Sequence, residues 1–204
     1  MYNNPITQRN LEGLRSLGYH IMDPAEGWLA CGITGVGRLP EPEAIVDWLE
    51  SKMCSTNELE GTTILVTAGG TQESIDPVRY IGNRSSGKMG YAIAEQAVRM
   101  GAKVILVSAP TSLPIPSGVD FISVDSAVSM QEAVEARYND VNVVIMAAAV
   151  SDFRVLHKAE QKIKKMESMT IELVKNPDIL QGLGSKKSHQ ILVGFAAETE
   201  HVIK

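Results

Sequence analysis

The chain has 204 residues, of which 44% are hydrophobic and 21% charged, enough for one or two domains with a buried core. Its net charge of −5 argues against a general binder of nucleic acid or of anionic membranes, because such proteins present a basic face. It has two cysteines outside any CxxC, no histidine spacing typical of zinc sites and no apolar run of membrane-spanning length. A reducing, cytoplasmic location without membrane attachment is therefore expected.

The first 50 residues do not have the pattern of a complete domain. A leucine stripe predicts a helix with Thr7 as its N-cap and Gly18 at its end. A short strand over 19–22, a glycine-rich loop over 29–38 and a helix over 43–52 follow. Two helices and one strand do not easily close a core, so residues 1–50 are interpreted as the end of a larger α/β domain. The polar segment 51–61 is interpreted as a linker.

From Thr62 onward the pattern alternates between apolar strands and helices, which predicts an α/β domain over 62–204 with an open, mostly parallel sheet. A hairpin strand within 170–175 and a short helix starting at 176–178 are also predicted. The chain stops at Lys204, within what would be the next helix, so a truncated domain is expected. The strands are predicted over 62–67, 103–108, 142–147 and 190–195, and the helices over 87–100 and 127–138.

The stretch from Ile64 to Gly90 organises the rest of the chain. A buried strand leads to a Gly-Gly turn and polar residues, and Ser85 to Gly87 then opens a helix. Exposed amides and the positive end of a helix favour anions. We therefore predict a nucleotide and phosphate site here.

Known phosphate motifs match this stretch only in part. Gly82, Gly87 and Lys88 nearly spell a P-loop, but Met89 stands where Ser or Thr would hold magnesium. The dinucleotide fingerprint also fails, so a nicotinamide-binding Rossmann protein remains as an alternative by fold analogy.

The cations of this region allow two interpretations. Arg79, Arg84 and Lys88, together with Asn83, form either a solvated loop or a clamp for a phosphate or carboxylate. The basic run 162–165 is open to the same two interpretations. Asp152 follows a buried strand, where ligands of open α/β sheets bind. Cys31 is either a small buried side chain or part of a reactive loop.

Taken together, these motifs resemble the bacterial phosphopantothenoylcysteine synthetase, commonly fused behind a flavin-dependent decarboxylase. Residues 1–50 resemble the end of that decarboxylase, through 4–8, 30–38 and 40–43. The resemblance implies a Rossmann-like ligase domain preceded by the end of a flavodoxin-like flavoprotein domain. The ligase resemblance is carried by Ile64–Glu73, Asp76–Arg79, Asn83–Gly90, Ala148–Asp152, Lys162–Lys165, Lys175–Ile179 and Gly194–Thr199.

The resemblance implies a CTP-dependent ligation in coenzyme A biosynthesis. The carboxylate of 4′-phosphopantothenate attacks the α-phosphate of CTP and releases pyrophosphate, and the cysteine amine then displaces CMP from the acyl cytidylate. The substrates supply the nucleophiles, so the protein positions them and neutralises charge, with Mg²⁺ on the triphosphate. No protein side chain is assigned to the metal.

Residue roles follow from the same resemblance. Asn83 matches the asparagine that stabilises the acyl cytidylate, Lys162 the lysine of the mobile loop, and Arg79 an arginine of the phosphopantothenate side. Cys31 matches the proton donor of the decarboxylase, which acts only with FMN bound in the longer protein. The CTP contacts are expected from Asp152, Phe195, Asn176, Pro177, Asp178 and Ile179, and the phosphate-lining positions are expected at Gly69, Gly70, Ser85, Ser86 and Gly87.

Two further hypotheses remain open. The longer protein is either also or mainly an FMN-dependent phosphopantothenoylcysteine decarboxylase, or the chain is a nucleotide-binding module without catalysis. The resemblance also implies a homodimer through the ligase domain and a higher oligomer of the longer protein. CTP rather than ATP is implied by the resemblance alone.

Overall fold

The computed structural model describes residues 1–29, 32–53, 57–164 and 167–196, and it divides the chain into two compact units, Met1–Ser55 and Thr56–Lys204. Cys31 lies outside the described residues, so the structure does not test the role predicted for it.

The first unit begins with helix α1, Pro5–Ser16. The predicted N-cap, Thr7, is wrong, since Asn4 caps the helix by accepting the Ile6 N–H at 2.9 Å. The reason is local: Pro5 at the first helical position suits an earlier start, because its missing N–H would have had no helical partner.

The predicted strand over 19–22 is also wrong. The first unit instead contains an antiparallel hairpin of β1, Ala25–Trp28, and β2, Thr34–Arg38. Much of the predicted glycine-rich loop is thus strand, because pairing with β1 overrides the weak strand preference of glycine. The second helix is confirmed as α2, Pro42–Met53, and it ends inside the segment interpreted as a linker.

In the second unit the central strands and helices lie close to their predicted positions, and the hairpin strand and short helix are also present. Four short strands among the described residues of this unit, Gln72–Ser74, Tyr80–Gly82, Val119–Ser123 and Phe153–Val155, were not predicted, because runs of three to five residues carry little periodicity. The elements are β3 Thr63–Ala68, β4 Gln72–Ser74, β5 Tyr80–Gly82, α3 Lys88–Arg99, β6 Lys103–Ser108, β7 Val119–Ser123, α4 Ala127–Arg137 with a 3-10 turn Tyr138–Asp140, β8 Val143–Met146, β9 Phe153–Val155, β10 Leu173–Lys175, α5 Ile179–Ser185 and β11 Ile191–Gly194.

The central sheet confirms the predicted open α/β architecture. Its strands run in the order β11-β8-β3-β6-β7, and every neighbouring pair is parallel. The hairpins β4–β5 and β9–β10 stand beside it as separate antiparallel pairs.

Both faces of the sheet are covered, as the continuous apolar strands require. Ile64, Val66 and Ala68 of β3 belong to a buried cluster with helix α3. Leu65 belongs to a second cluster, with residues of α4 and α5. Successive side chains of β3 therefore enter opposite layers, which places the core on the two sides of this strand.

The strand order also locates the site. The first strand of this sheet is the central strand β3; the chain then adds β6 and β7 on one side and crosses to add β8 and β11 on the other. The side on which strands are added therefore changes between β3 and β8, although the strands stay parallel. Open α/β sheets bind ligands at such a switch point, outside the carboxyl ends of the strands.

Within the described part of the chain, no helix has the length and apolar character needed to cross a membrane.

Candidate nucleotide and phosphate site

The loops that follow β3 and β8 are joined by hydrogen bonds. The Ala149 N–H donates to the Gly69 carbonyl at 2.8 Å, and the Thr71 N–H donates back to the Ala149 carbonyl at 3.2 Å. The Thr71 hydroxyl accepts the Ser151 N–H at 2.9 Å, and Thr71 is fully buried. The backbone at the switch point is thus held in place before any ligand binds, which lowers the entropic cost of binding.

A cavity of about 340 Å³ opens at the carboxyl ends of β8 and β11, and we call it the β8 cavity. It brings together every side chain that was expected to contact CTP. Its lining includes Val150, Ser151, Asp152, Lys175, Asn176, Pro177, Asp178, Ile179, Gly194 and Phe195.

Asn176 shapes a wall of the β8 cavity. Its side chain is buried, donates to the Ser151 carbonyl at 2.8 Å and accepts from the Arg154 guanidinium at 3.1 Å. Its backbone N–H donates to the Asp152 carbonyl at 2.7 Å. The Asn176 side chain is therefore engaged within the protein. Its contacts hold the segment that carries Asp152 in place.

Three other residues that were predicted to contact CTP line the same cavity, and they differ in how far their side chains are exposed or already hydrogen-bonded. Asp178 uses a carboxylate oxygen to accept the Gln181 N–H at 2.9 Å, and so caps α5. Asp152 is exposed, and Phe195 is 55% exposed. An exposed ring at the rim of a cavity can cover a flat base, and an exposed carboxylate can accept hydrogen bonds from ligand hydroxyl or amino groups.

A second cavity of about 590 Å³, which we call the β5 cavity, lies beside the loop after β5. Its polar lining includes Gly70, Asn83, Arg84, Ser85, Ser86 and Thr111. The hydroxyl and guanidinium groups in this set are of the kinds that bind phosphate oxygens.

Gly69 and Gly87 do not belong to the described residues that line the β5 cavity, although both were expected to line the phosphates. Their backbones pack against each other instead, since a Cβ on Gly87 would lie 3.3 Å from the Gly69 nitrogen. A Cβ on Gly69 would stand 2.7 Å from the Ala109 carbonyl oxygen, and both residues have positive φ, +79° and +74°. They allow close backbone approach next to the cavity.

Asn83 links the two cavities. It lines the β5 cavity, and its side-chain amide donates to the carbonyl of Val150, which lines the β8 cavity, at 3.1 Å. The Asn83 carbonyl lies 2.7 Å from where a Cβ on Gly70 would stand. Gly70 therefore permits the close approach that brings Asn83 to the end of β8.

Arg79 forms an ion pair with Asp76, whose side chain is completely enclosed. The Arg79 guanidinium, supported by the N–H groups of Val78, Ile163 and Arg79 itself, lowers the pKa of the Asp76 carboxyl well below its ordinary value. The carboxylate is thus charged at neutral pH. The Arg79 guanidinium also donates to the Ile163 carbonyl at 2.9 Å.

Lys162 is exposed and directly precedes Ile163, and it is not among the described residues that line either cavity. Asn83 and Asp152 thus line two different cavities, connected by the hydrogen bond from Asn83 to Val150, while Lys162 lies on a loop held by Asp76 and Arg79. The sequence-based prediction quoted Asp76 without a role; an Asp followed three residues later by an Arg was the available signal.

Ser151 was also missed. It is 5% exposed and lines the β8 cavity, and its hydroxyl has no hydrogen-bond partner among the described residues. No sequence pattern distinguishes such a serine from an ordinary one after a strand.

A family model described as "DNA/pantothenate metabolism flavoprotein C-terminal domain" matches residues 59–204. A second model, described as "Flavoprotein", matches residues 1–54.

Two curated relatives are similar over 99% of this chain. Both are described as coenzyme A biosynthesis bifunctional protein CoaBC: that of Bacillus subtilis (strain 168) is 50% identical over 206 residues, and that of Escherichia coli (strain K12) is 47% identical over 207 residues. The chain spans about half of their length, 51% in each case.

A crystal structure of the C-terminal domain of a coenzyme A biosynthesis bifunctional protein CoaBC is similar in fold and sequence. It is 52% identical and has a TM-score of 0.65, and the match covers 72% of this chain and 70% of that one. The chain therefore belongs to the family of the DNA/pantothenate metabolism flavoprotein C-terminal domain, over residues 59–204.

Proposed function

We propose that the protein joins 4′-phosphopantothenate to cysteine at the expense of CTP, as part of coenzyme A biosynthesis. One observation supports this most directly: Asn83 connects a cavity rich in hydroxyl groups to the β8 cavity at the switch point of the sheet. Two adjoining cavities suit a reaction between a nucleotide and a second phosphorylated molecule.

The proposed chemistry proceeds in two balanced steps. A carboxylate oxygen of 4′-phosphopantothenate forms a bond to the α-phosphorus of CTP, and the bond to pyrophosphate breaks. The cysteine amine then forms the amide bond at the acyl carbon, loses a proton, and CMP leaves. The acyl cytidylate is the intermediate between the two steps.

Four side chains have electrostatic or positioning roles in this scheme. The Asn83 amide, already at the junction, donates to the acyl cytidylate. Lys162 places its positive charge near the phosphate oxygens where negative charge develops. Asp152 and Phe195 hold the nucleoside, with the carboxylate as acceptor and the ring as an apolar cover.

Magnesium enters in this proposal with the triphosphate, where it neutralises phosphate charge. Among the described residues, no three His, Cys, Asp or Glu side chains stand together as a metal-binding group.

The experiment uses the full-length protein with CTP, 4′-phosphopantothenate, cysteine and Mg²⁺, and it measures pyrophosphate release and CMP formation. We expect both products with CTP and much less with ATP. Binding of CTP without pyrophosphate release would favour a nucleotide-binding module, and reduction or oxidation of NAD(P) would favour the dinucleotide alternative.

Replacing Asn83 tests the residue that joins the cavities. Asn83→Asp puts a negative charge beside the phosphates, and we expect turnover to fall by at least about tenfold, as for loss of one donor to a developing oxyanion. Asn139→Asp is the matched control, because Asn139 is exposed and lies just before β8, at the amino end of the strand rather than at its carboxyl end. Equal activities of the two variants would contradict the proposed role.

The match of residues 1–54 to the flavoprotein family favours a second activity in the longer protein. We propose FMN-dependent decarboxylation of phosphopantothenoylcysteine, with Cys31 as proton donor. FMN would supply the redox chemistry when bound. A yellow full-length protein that releases FMN on denaturation supports this activity, and a colourless one with no carbon dioxide release contradicts it. A homodimer and a cytoplasmic location remain predictions, and sedimentation of the full-length protein tests the former.

A further inference from the structure

We propose that Asp76 is a positioning residue that sets the place of Lys162. It acts through Arg79 and the main chain of Ile163. The inference rests on the proposed ligase function for what Lys162 does, and on geometry alone for how Lys162 is held.

Each oxygen of the enclosed Asp76 carboxylate has a distinct task. Oδ1 accepts the N–H groups of Val78 and Arg79, both at 2.8 Å, which closes the turn before β5. Oδ2 accepts the Arg79 Nε–H at 3.1 Å and the Ile163 N–H at 3.0 Å. One oxygen thus shapes the local turn, and the other reaches a residue 87 positions further along the chain.

Both polar groups of Ile163 are bound by this pair. Its N–H donates to Asp76, and its carbonyl accepts from the Arg79 guanidinium at 2.9 Å. The N–H belongs to the peptide group shared with Lys162 and the carbonyl to the next one, so the charged pair fixes the backbone on both sides of Ile163.

Among the described residues, two further backbone hydrogen bonds hold the segment that carries Lys162. We call residues 156–164 the strap; they contain no helix or strand, and the charged side chains along it are exposed. The strap is tied by the Leu156 N–H to the Glu172 carbonyl and by the Ala159 N–H to the Ile75 carbonyl, each at 2.9 Å. Lys162 follows these ties and directly precedes Ile163.

The consequence for Lys162 is geometric. Consecutive α-carbons stand about 3.8 Å apart, so fixing Ile163 confines the backbone of Lys162 to a small volume. The exposed side chain of Lys162 remains free to reach a phosphate. Asp76 thereby reduces the entropy that Lys162 loses on binding its substrate.

The first test is hydrogen exchange in the full-length protein, comparing the wild type with Asp76→Asn. Asparagine keeps an oxygen for the turn but replaces the other acceptor with a donor, so it breaks the contact with Ile163. We expect exchange at the Ile163 amide to rise at least about tenfold, as the strap opens locally. Glu95→Gln, which removes the exposed pair with Arg99 on α3, is the control and leaves the strap unchanged. Unchanged protection at Ile163 in Asp76→Asn would overturn the anchoring.

The second test is a double-mutant cycle with Lys162→Ala, measuring ligation. Asp76→Asn alone is expected to lower kcat by about tenfold, with KM for CTP changed less than about threefold. In the Lys162→Ala background the same change should alter kcat by less than about twofold, because the residue to be positioned is gone. An equal loss in both backgrounds means that Asp76 does not act through Lys162, and it overturns the inference.

Two further outcomes are distinguishable. A wild-type protein that makes no product contradicts the proposed function, while hydrogen exchange still decides whether Asp76 anchors the strap. If Asp76→Asn does not fold, Ile163→Pro removes the same N–H from the strap side and keeps Asp76 and Arg79. Normal kcat in Ile163→Pro would contradict the positioning role.

Discussion

The two compact units of the chain contain similar elements but differ in how they bury apolar side chains. In Thr56–Lys204 the sheet is covered on both faces, and Leu65 and Leu106 have no exposed surface. In Met1–Ser55 no described side chain is buried, and Trp28 is 72% exposed. Helices and a hairpin thus form in the first unit from local signals such as caps and turns, whereas the core of the second unit forms where helices pack on the two faces of its sheet.

The largest expected effect sharpens this contrast with a matched pair of leucines. Leu65→Ala removes a fully buried side chain and should lower the free energy of unfolding by about 2–5 kcal/mol. Leu14→Ala on α1 removes a side chain that is 41% exposed, and we expect a change below about 1 kcal/mol. Urea unfolding followed by circular dichroism measures both, and similar losses would show that the first unit has a core.

A smaller effect, with opposite signs in the two units, is expected when a helical glycine is replaced by alanine. A Cβ on Gly90 of α3 would stand 2.6 Å from the Ala68 Cβ and 2.8 Å from the Thr67 carbonyl oxygen. Gly90→Ala should therefore destabilise the second unit by about 1–3 kcal/mol through overpacking.

Gly13 of α1 is the matched position, since a Cβ there would meet no atom within 4 Å. Gly13→Ala should stabilise the helix by about 0.5–1 kcal/mol, because alanine loses less backbone entropy. Thermal unfolding followed by circular dichroism measures both variants. A stabilising Gly90→Ala would contradict the tight packing of α3 on β3.

The smallest expected signal comes from the ion pairs and appears in the pH dependence. The folded-state pKa of Asp76 is lowered from the ordinary 3.8, so its ionised form stabilises the fold. That contribution is present above the unfolded-state pKa and is lost as the pH falls through the folded-state value. Asp76→Asn should therefore flatten the fall in stability below a pH of roughly 4, by at most one proton in slope.

The Arg15–Asp23 pair of the first unit is the comparison, because its side chains are 40% and 62% exposed. Such pairs contribute about 0–1 kcal/mol, so Asp23→Asn should leave the pH profile nearly unchanged. Acid titration of unfolding at constant urea provides the measurement. An unaltered acid limb in Asp76→Asn would show that the Asp76 carboxylate does not stabilise the fold.

Sequence patterns were informative where a residue's role depends on its neighbours in the chain. The apolar runs at 62–67 and 103–108 predicted β3 and β6 closely, since strands buried on both faces are continuously apolar. They failed for 19–22 and Thr7, where weak local preferences competed with a stronger cap and a hairpin. Short strands such as β4 and β9 were missed because three residues carry no measurable period.

The sequence by itself determined the longer strands and helices of the second unit and the family, and it predicted side chains for a nucleotide site. Only the tertiary structure decided which of them meet. It brought the Asn83 amide into a hydrogen bond with the Val150 carbonyl, and it engaged the Asn176 amide in a hydrogen bond with the Ser151 carbonyl in a cavity wall. It also joined Asp76 to the backbone of Ile163. The physical reason is that periodicity and capping act over a few residues, whereas these contacts depend on which parallel strands become neighbours, and burial of both sheet faces selects that order.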